Sequence, residues 1–230
     1  MTLTIGPVAI DGRAFLAPMS GVTDVGLRRL ARRFGASLVV SEMVASQELA
    51  RGDEEARMRA EGEGVSPHVV QLAGCDPYWM AEAARVAQEA GADIIDINMG
   101  CPAKKVTGGW AGSALMRDLD HALRLIEAVV GAVRVPVTLK MRLGWDDANR
   151  NAPELACRAE TAGVQLVTVH GRTRQQFYKG SADWAAVAAV RAATSLPLVV
   201  NGNICDTASA REALRLSGAD AVMVGRAAVG

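Results

Sequence analysis

The side chain with the most chemistry on offer is Cys101, in the Gly/Pro loop Asn98-Met-Gly-Cys-Pro102 directly after an apolar run. A thiol so placed is a nucleophile, a proton donor or a bystander, and spacing alone does not choose among them. Lys140 follows Val-Thr-Leu inside an apolar run, where an ammonium is costly to bury unless an anion is near. That anion is either a ligand or one of two carboxylates, Glu42 and Asp96. His170 alone would read as a core histidine, but beside Gly171-Arg172-Thr173-Arg174 it reads as a ligand contact. Asn201-Gly202-Asn203 and Gly225-Arg226 form two further loops in which glycine admits backbone N–H groups to a phosphate and arginine adds charge. The competing reading of Asn-Gly is an ordinary turn.

These residues all follow short apolar runs. The runs are Ala14–Leu16, Ser37–Val40, Val69–Leu72, Ile94–Ile97, Val137–Met141, Leu166–Val169, Leu198–Val200 and Ala221–Val224. Their near-continuous apolarity suits parallel strands covered on both faces. Between them lie amphipathic stretches: Leu27, Leu30, Ala31 and Phe34 recur at helical spacing, as do Met80, Ala83, Ala84 and Ala87 behind Asp76-Pro77. Leu119 to Val130 carry another stripe, Asp206 caps a helix through Leu214, and Asp183 or Ser181 opens one through Val190. Gly35, Gly91, Gly163 and Gly218 stand where a helix ends and a strand begins, and Pro136 and Pro197 mark two further joints.

Eight β-then-α units predict an α/β protein, a (β/α)8 TIM barrel, whose active site lies at the C-terminal ends of the strands. A doubly wound open sheet would be expected to show Gly-x-Gly-x-x-Gly after its first strand, and Pro18-Met19-Ser20-Gly21 stands there instead. The eighth strand ends near Val224 and leaves no room for an eighth helix. The expectation is therefore a barrel truncated after strand eight, a fragment of a longer protein.

The 230 residues carry 25 basic and 25 acidic side chains, so no wholesale basic footprint for nucleic acid is present. No apolar run approaches the length of a membrane span, and the N-terminus lacks a signal-peptide pattern, so a cytoplasmic protein is expected. Four scattered cysteines without Cys-x-x-Cys predict reduced thiols and no metal site. Cys75, Cys157 and Cys205 read as small apolar fillers.

Asp96-Ile-Asn-Met-Gly-Cys-Pro-Ala-Lys-Lys-Val106, Leu139-Lys-Met-Arg-Leu-Gly144, Val169-His-Gly-Arg-Thr-Arg174, Ala17-Pro-Met19 and Val224-Gly-Arg226 closely resemble the tRNA-dihydrouridine synthases. Cys-Pro-Ala-Lys-Lys followed by Ala111-Gly-Ser-Ala-Leu115 resembles the bacterial B-type subfamily. The resemblance covers essentially the whole chain. It implies an FMN-binding catalytic barrel over residues 1–230, reducing the C5–C6 double bond of uridine in tRNA with NADPH as reductant. Hydride would pass from N5 of reduced FMN to C6, and a proton from Cys101 to C5. The FMN contacts implied are Pro18, Met19, Ser20, Gln71, Lys140, His170, Asn201, Gly202, Asn203, Gly225 and Arg226. Asn98, Lys140 and Arg142 are implied near the uracil, Lys104 and Lys105 at tRNA phosphates, and Arg172 and Arg174 on a basic-aromatic loop reaching Lys179.

Two departures stand out. Family members read Asn-Gly-Asp where this chain has Asn203, and they carry a C-terminal helical tRNA-binding domain that is missing here. The alternatives are an FMN-dependent reductase of small free pyrimidines and a non-catalytic RNA-binding barrel. The default oligomeric state is a monomer.

Overall fold

The computed structural model describes residues 2–229. Strands β3 (Ala14–Leu16), β4 (Leu38–Ala45), β5 (Val69–Ala73), β6 (Ile94–Met99), β7 (Val137–Arg142), β8 (Val167–His170), β9 (Leu198–Asn201) and β10 (Ala221–Val224) run parallel in sequence order and close on themselves as β10 pairs with β3. Helices alternate with them: α1 (Val25–Arg33), α2 (Ser46–Ala50), α3 (Glu54–Ala60), α4 (Pro77–Glu89), α5 (Lys104–Thr107), α6 (Leu119–Ala132), α7 (Ala152–Thr161), α8 (Ala188–Ala193) and α9 (Thr207–Ser217). The expected eight-stranded barrel is the observed fold. Gly35, Gly91, Gly163 and Gly218 all have positive φ at the helix-to-strand joints.

Side chains alternate across each strand, and the alternation assigns them to two chemistries. Ile95, Ile97, Met99, Val137, Leu139, Met141, Val167, Val169, Leu198 and Val200 point outward and share one core with the helices. The inward set is apolar at the bottom, where Phe15, Leu38, Val69, Ile94, Leu166, Val199 and Ala221 pack together. Toward the top of the same strands it becomes polar: Gln71, Asp96, Asn98, Thr138, Lys140, Arg142, Thr168, His170 and Asn201. The short apolar runs thus hide a period-two signal that switches from apolar to polar along the barrel axis.

Two features depart from the sequence expectation and a third follows it. A hairpin of β1 (Thr2–Ile5) and β2 (Val8–Asp11) precedes the barrel and closes its bottom, with Ile5 and Ile10 buried against the inward apolar set. Burying each is worth about 1.5–3 kcal/mol. Strand β4 does not stop at Val40 but runs to Ala45 through a register shift between Val40 and Met43. The bulge consumes Ser41 and Glu42: Ser41 Oγ accepts from the Gln71 N–H and donates to the Glu42 carbonyl, and Glu42 accepts from the Gly21 N–H. As expected from a chain with no room for an eighth helix, no helix covers the wall between β10 and α1 among the described residues. An apolar groove of about 310 Å³ remains there, lined by Phe15, Leu16, Leu27, Leu30, Phe34 and Val224. Phe34 is 83% exposed and Leu30 44%.

Candidate active site

The strand tops surround a cavity of about 1320 Å³. Cys101 lines it, as does every residue implied for cofactor, base or RNA except Lys104 and Arg174. Register brings the inward residues side by side: Asn98 is level with Lys140, Arg142 with His170, and His170 with Asn201. The second wall was not read from sequence. It comes from α2, α3 and the start of α4, which contribute Gln47, Asp53, Arg59 and Trp79. The missing signal was the length of β4: a strand ending at Val40 leaves α2 and α3 far from the mouth.

Beneath the cavity a directed chain of hydrogen bonds ends at the thiol loop. Asp96, buried inside the barrel, accepts from Thr138 Oγ1 at 2.6 Å and from Gln71 Nε2 at 2.7 Å. That fixes the Gln71 amide, whose Oε1 must then face and accept from Asn98 Nδ2 at 2.7 Å. Asn98 Oδ1 is thereby turned to accept from the Gly100 and Cys101 N–H groups at 3.1 and 2.9 Å. Asp96 thus sets the orientation of two amides in series and, through them, the backbone of Cys101. Burial pushes the Asp96 carboxyl up, opposed by its two hydrogen bonds and by Lys140. Gly112, at φ 60, closes the loop from the far side; a Cβ there would lie 2.8 Å from the Cys101 carbonyl.

Arg142 is buried and does not reach outward. Its Nε donates to the Gly100 carbonyl and its Nη1 to the Thr173 and Phe177 carbonyls, which ties the thiol loop to the loop after β8. Burial, then repulsion from nearby arginines, lowers its affinity for the proton to about 10, with Tyr178 and Cys101 opposing. Arg172 is also buried. It donates to the Lys179 and Gly180 carbonyls, to Asn203 Oδ1 at 2.5 Å and to His170 Nε2 at 3.1 Å. Of the two arginines expected on the basic-aromatic loop, Arg172 therefore lies beneath it. Arg174 packs on Trp145 and donates to Thr107 Oγ1.

The Arg172 contact also settles the histidine tautomer. Arginine only donates, so Nε2 of His170 carries the lone pair and Nδ1–H donates to Asn201 Oδ1 at 2.7 Å. His170 is neutral: burial, with Lys140 and Arg142 nearby, holds its pKa well below the usual value. Lys140 Nζ reaches the same Asn201 oxygen at 3.4 Å. Among the described residues no carboxylate lies within salt-bridge reach of it, so neither Glu42 nor Asp96 is its paired partner. Burial and the Arg142 charge lower its pKa to about 8.

Above these groups the loops after β9 and β10 form a cradle. The N–H groups of Gly202, Asn203 and Arg226 find no acceptor among the described residues. Gly202 has φ 115, and a Cβ there would lie 2.8 Å from Ala182 Cβ, so only glycine leaves this backbone open. Arg226 is exposed, with its guanidinium over the Tyr178 ring. Three free N–H donors, an arginine and a nearby ammonium make an anion site. Asn203 Oδ1, occupied by Arg172 and the Ala182 N–H, already does the accepting that a carboxylate would do.

The remaining cysteines correct the sequence reading. Cys157 and Cys205 are exposed rather than apolar filler, and Cys75 and Cys205 line the cavity. Lys104 and Lys105 are exposed on α5, with Lys105 at the mouth. No helix of the described residues is long and apolar enough to cross a membrane, and no group of three potential metal ligands occurs among them.

A closed parallel barrel whose polar strand ends converge on one cavity with a thiol, a half-buried ammonium and an anion cradle defines an enzyme of the (β/α)8 class. The chain belongs to the dihydrouridine synthase family: the model described as "Dihydrouridine synthase (Dus)" matches residues 15–230. A probable tRNA-dihydrouridine synthase of Rhizobium leguminosarum bv. phaseoli is 62% identical over 223 residues, covering 97% of this chain and 70% of the relative. The tRNA-dihydrouridine synthase B of Xanthomonas axonopodis pv. citri is 51% identical over 229 residues, 99% of this chain and 69% of the relative. Among solved structures, morphinone reductase in complex with tetrahydroNAD superposes with TM-score 0.67 at 16% identity, covering 98% of this chain and 86% of that one. 2-Naphthoyl-CoA reductase superposes at 0.74 with 14% identity, covering 98% and 49%.

Proposed function

We propose that residues 1–230 form the catalytic barrel of an enzyme that reduces the C5–C6 double bond of uridine in tRNA, using FMN and NADPH in the cytoplasm as a monomer. The observation that carries this is the convergence of the amide-held Cys101 loop and the phosphate cradle on one cavity. Bound FMN would supply the hydride to C6 of the uracil. The donors fit its phosphate: the free N–H groups of Gly202, Asn203 and Arg226, and the Arg226 side chain. Pro18, Met19 and Ser20 line the same cavity beside the β10 loop.

Lys140 meets negative charge, whether on the cofactor or on a pyrimidine oxygen, and its low pKa is the mark of an ammonium with no anion yet beside it. Cys101 holds a proton on Sγ and delivers it to C5, with its position set by Asn98. Asn98 and Arg142 act here mainly by positioning the thiol loop. The base must leave the tRNA stack to enter, and Lys104 and Lys105 on the rim meet backbone phosphates.

The test is a visible absorption spectrum of the purified protein, followed by anaerobic NADPH and then unmodified tRNA. Flavin bands that bleach with NADPH and recover as dihydrouridine forms support the reading. Recovery only with free uracil or dihydroorotate-type substrates would move the protein to small-molecule reduction. A protein that takes up no flavin would overturn both.

A further inference from the structure

Outside the cavity an alternating column of rings and cations runs along the rim. The Arg117 guanidinium sits 5.1 Å from the Trp110 ring centroid and 4.9 Å from that of Trp145, and the Arg174 guanidinium sits 4.8 Å from Trp145. Arg174 is tied to Thr107, three residues before Trp110. The column begins at Trp110, which is 57% exposed. One face of that indole is occupied by Arg117, and the solvent-reached surface is left for another partner.

The backbone makes this exposure informative. Trp110 sits at φ 57 in Gly108-Gly-Trp-Ala-Gly112. A bulky residue there is an outlier, and glycine would sit there without strain. A strained residue with an exposed ring gains little from burial, so its persistence points to what the ring touches. Its two neighbours, Gly109 and Ala111, line the cavity mouth, as does Lys105 earlier in the same segment. The ring is therefore just outside the opening through which a base must pass. The exposed lysines at 104 and 105 make the surroundings positive.

We propose that Trp110 is a stacking platform for an unpaired base of the RNA substrate, next to the uridine that enters the cavity, with Arg117 bracing the ring from behind. This rests on the reading of the chain as a tRNA-reducing enzyme. A neutral aromatic base fits better than a cationic side chain, because the second face of a ring already bearing a guanidinium attracts a further cation poorly. The platform recognises a π-face rather than a base edge, so it carries little sequence preference.

The test compares Trp110→Gly and Trp110→Phe with the unchanged full-length protein, reading tRNA affinity, thermal stability and tRNA quenching of tryptophan fluorescence. Glycine relieves the backbone, so Trp110→Gly is expected to keep or raise the melting temperature while tRNA affinity falls about 5- to 150-fold, the range for one base stacked on a ring. Phenylalanine is expected to restore most of the affinity, and the quench is expected to shrink in both variants. Unchanged affinity in Trp110→Gly, or affinity lost only in step with melting temperature, would overturn the platform while leaving the catalytic reading intact. An unchanged protein that binds no tRNA would overturn both.

Discussion

Lys140 is a residue that function should keep and stability should not. Its ammonium is partly buried at the cavity floor, with Arg142 nearby and only an amide oxygen in reach. Unfolded, it releases its proton near 10.5; folded, at about 8. Below pH 8 both states are charged and the folded state bears the whole penalty. Between 8 and 10.5 the folded state is neutral while the unfolded state still binds the proton, so stability rises with pH; above 10.5 the penalty is gone. At about 1.4 kcal/mol for each tenfold change in proton affinity, the upper bound is about 3 kcal/mol. Solvent reaches part of the side chain, so roughly 1–2 kcal/mol is the working figure. Lys140→Met keeps an unbranched chain of similar length without the charge. Flavin-free Lys140→Met should therefore melt about 2–8 °C higher than the unchanged protein at pH 7. The gap should close as both are taken towards pH 10.5. Added FMN should raise the unchanged protein's melting point more than the variant's, since only the former gains a paired charge. Thermal melts across that pH range, with and without FMN, make the comparison. A variant that melts lower at pH 7, or a gap indifferent to pH, would refute the account of Lys140 as an unpaired cation awaiting an anion.

Other expectations can be checked in parallel. Cys101→Ala should retain FMN and its reduction by NADPH but lose about 10²- to 10⁴-fold in single-turnover oxidation by tRNA; normal turnover would remove the proton-donor role. Asn203→Asp should hold or raise stability, by up to about 1 kcal/mol, because its carboxylate would accept from Arg172 as a charged pair. Asn203→Ala should cost about 1–3 kcal/mol in denaturant melts, since it strands two donors and places alanine at φ 55. Alanine at both Lys104 and Lys105 should weaken tRNA binding and flatten its dependence on salt; an unchanged slope would leave them in solvent.

What could be read from the sequence was what local pattern encodes. Polar residues after apolar runs gave the ring of strand ends, because in a parallel barrel the inward face turns polar where it meets the cavity, as in Thr138, Lys140 and Arg142. The β1–β2 hairpin escaped notice because its strands are four residues each and their apolar partners lie on six other strands. Strand β4 was cut short because Ser41-Glu42 mimics a strand end, whereas the pair serves a bulge. Arg172 looked like an RNA contact because two of its four hydrogen-bond partners are the backbone carbonyls of Lys179 and Gly180, which no side-chain pattern announces. Trp110 passed unremarked for a related reason: the cations that give its ring a context come from outside its own loop.

The bare wall between β10 and α1 bears on how the molecule behaves in company. A greasy furrow edged by Phe34 and Leu30 is the kind of exposed apolar face through which copies of one chain can meet. If two such faces meet about a two-fold axis the result stops at pairs; if the furrow of one meets a different patch of the next, growth has no natural end. Warmth and sulfate should favour either outcome and mild cooling should reverse it, the opposite of what a charge-driven assembly would do. Residues 1–230 handled alone should thus show a sedimentation coefficient that climbs with concentration, and Phe34→Lys should flatten that climb without touching the cavity on the other side of the wall.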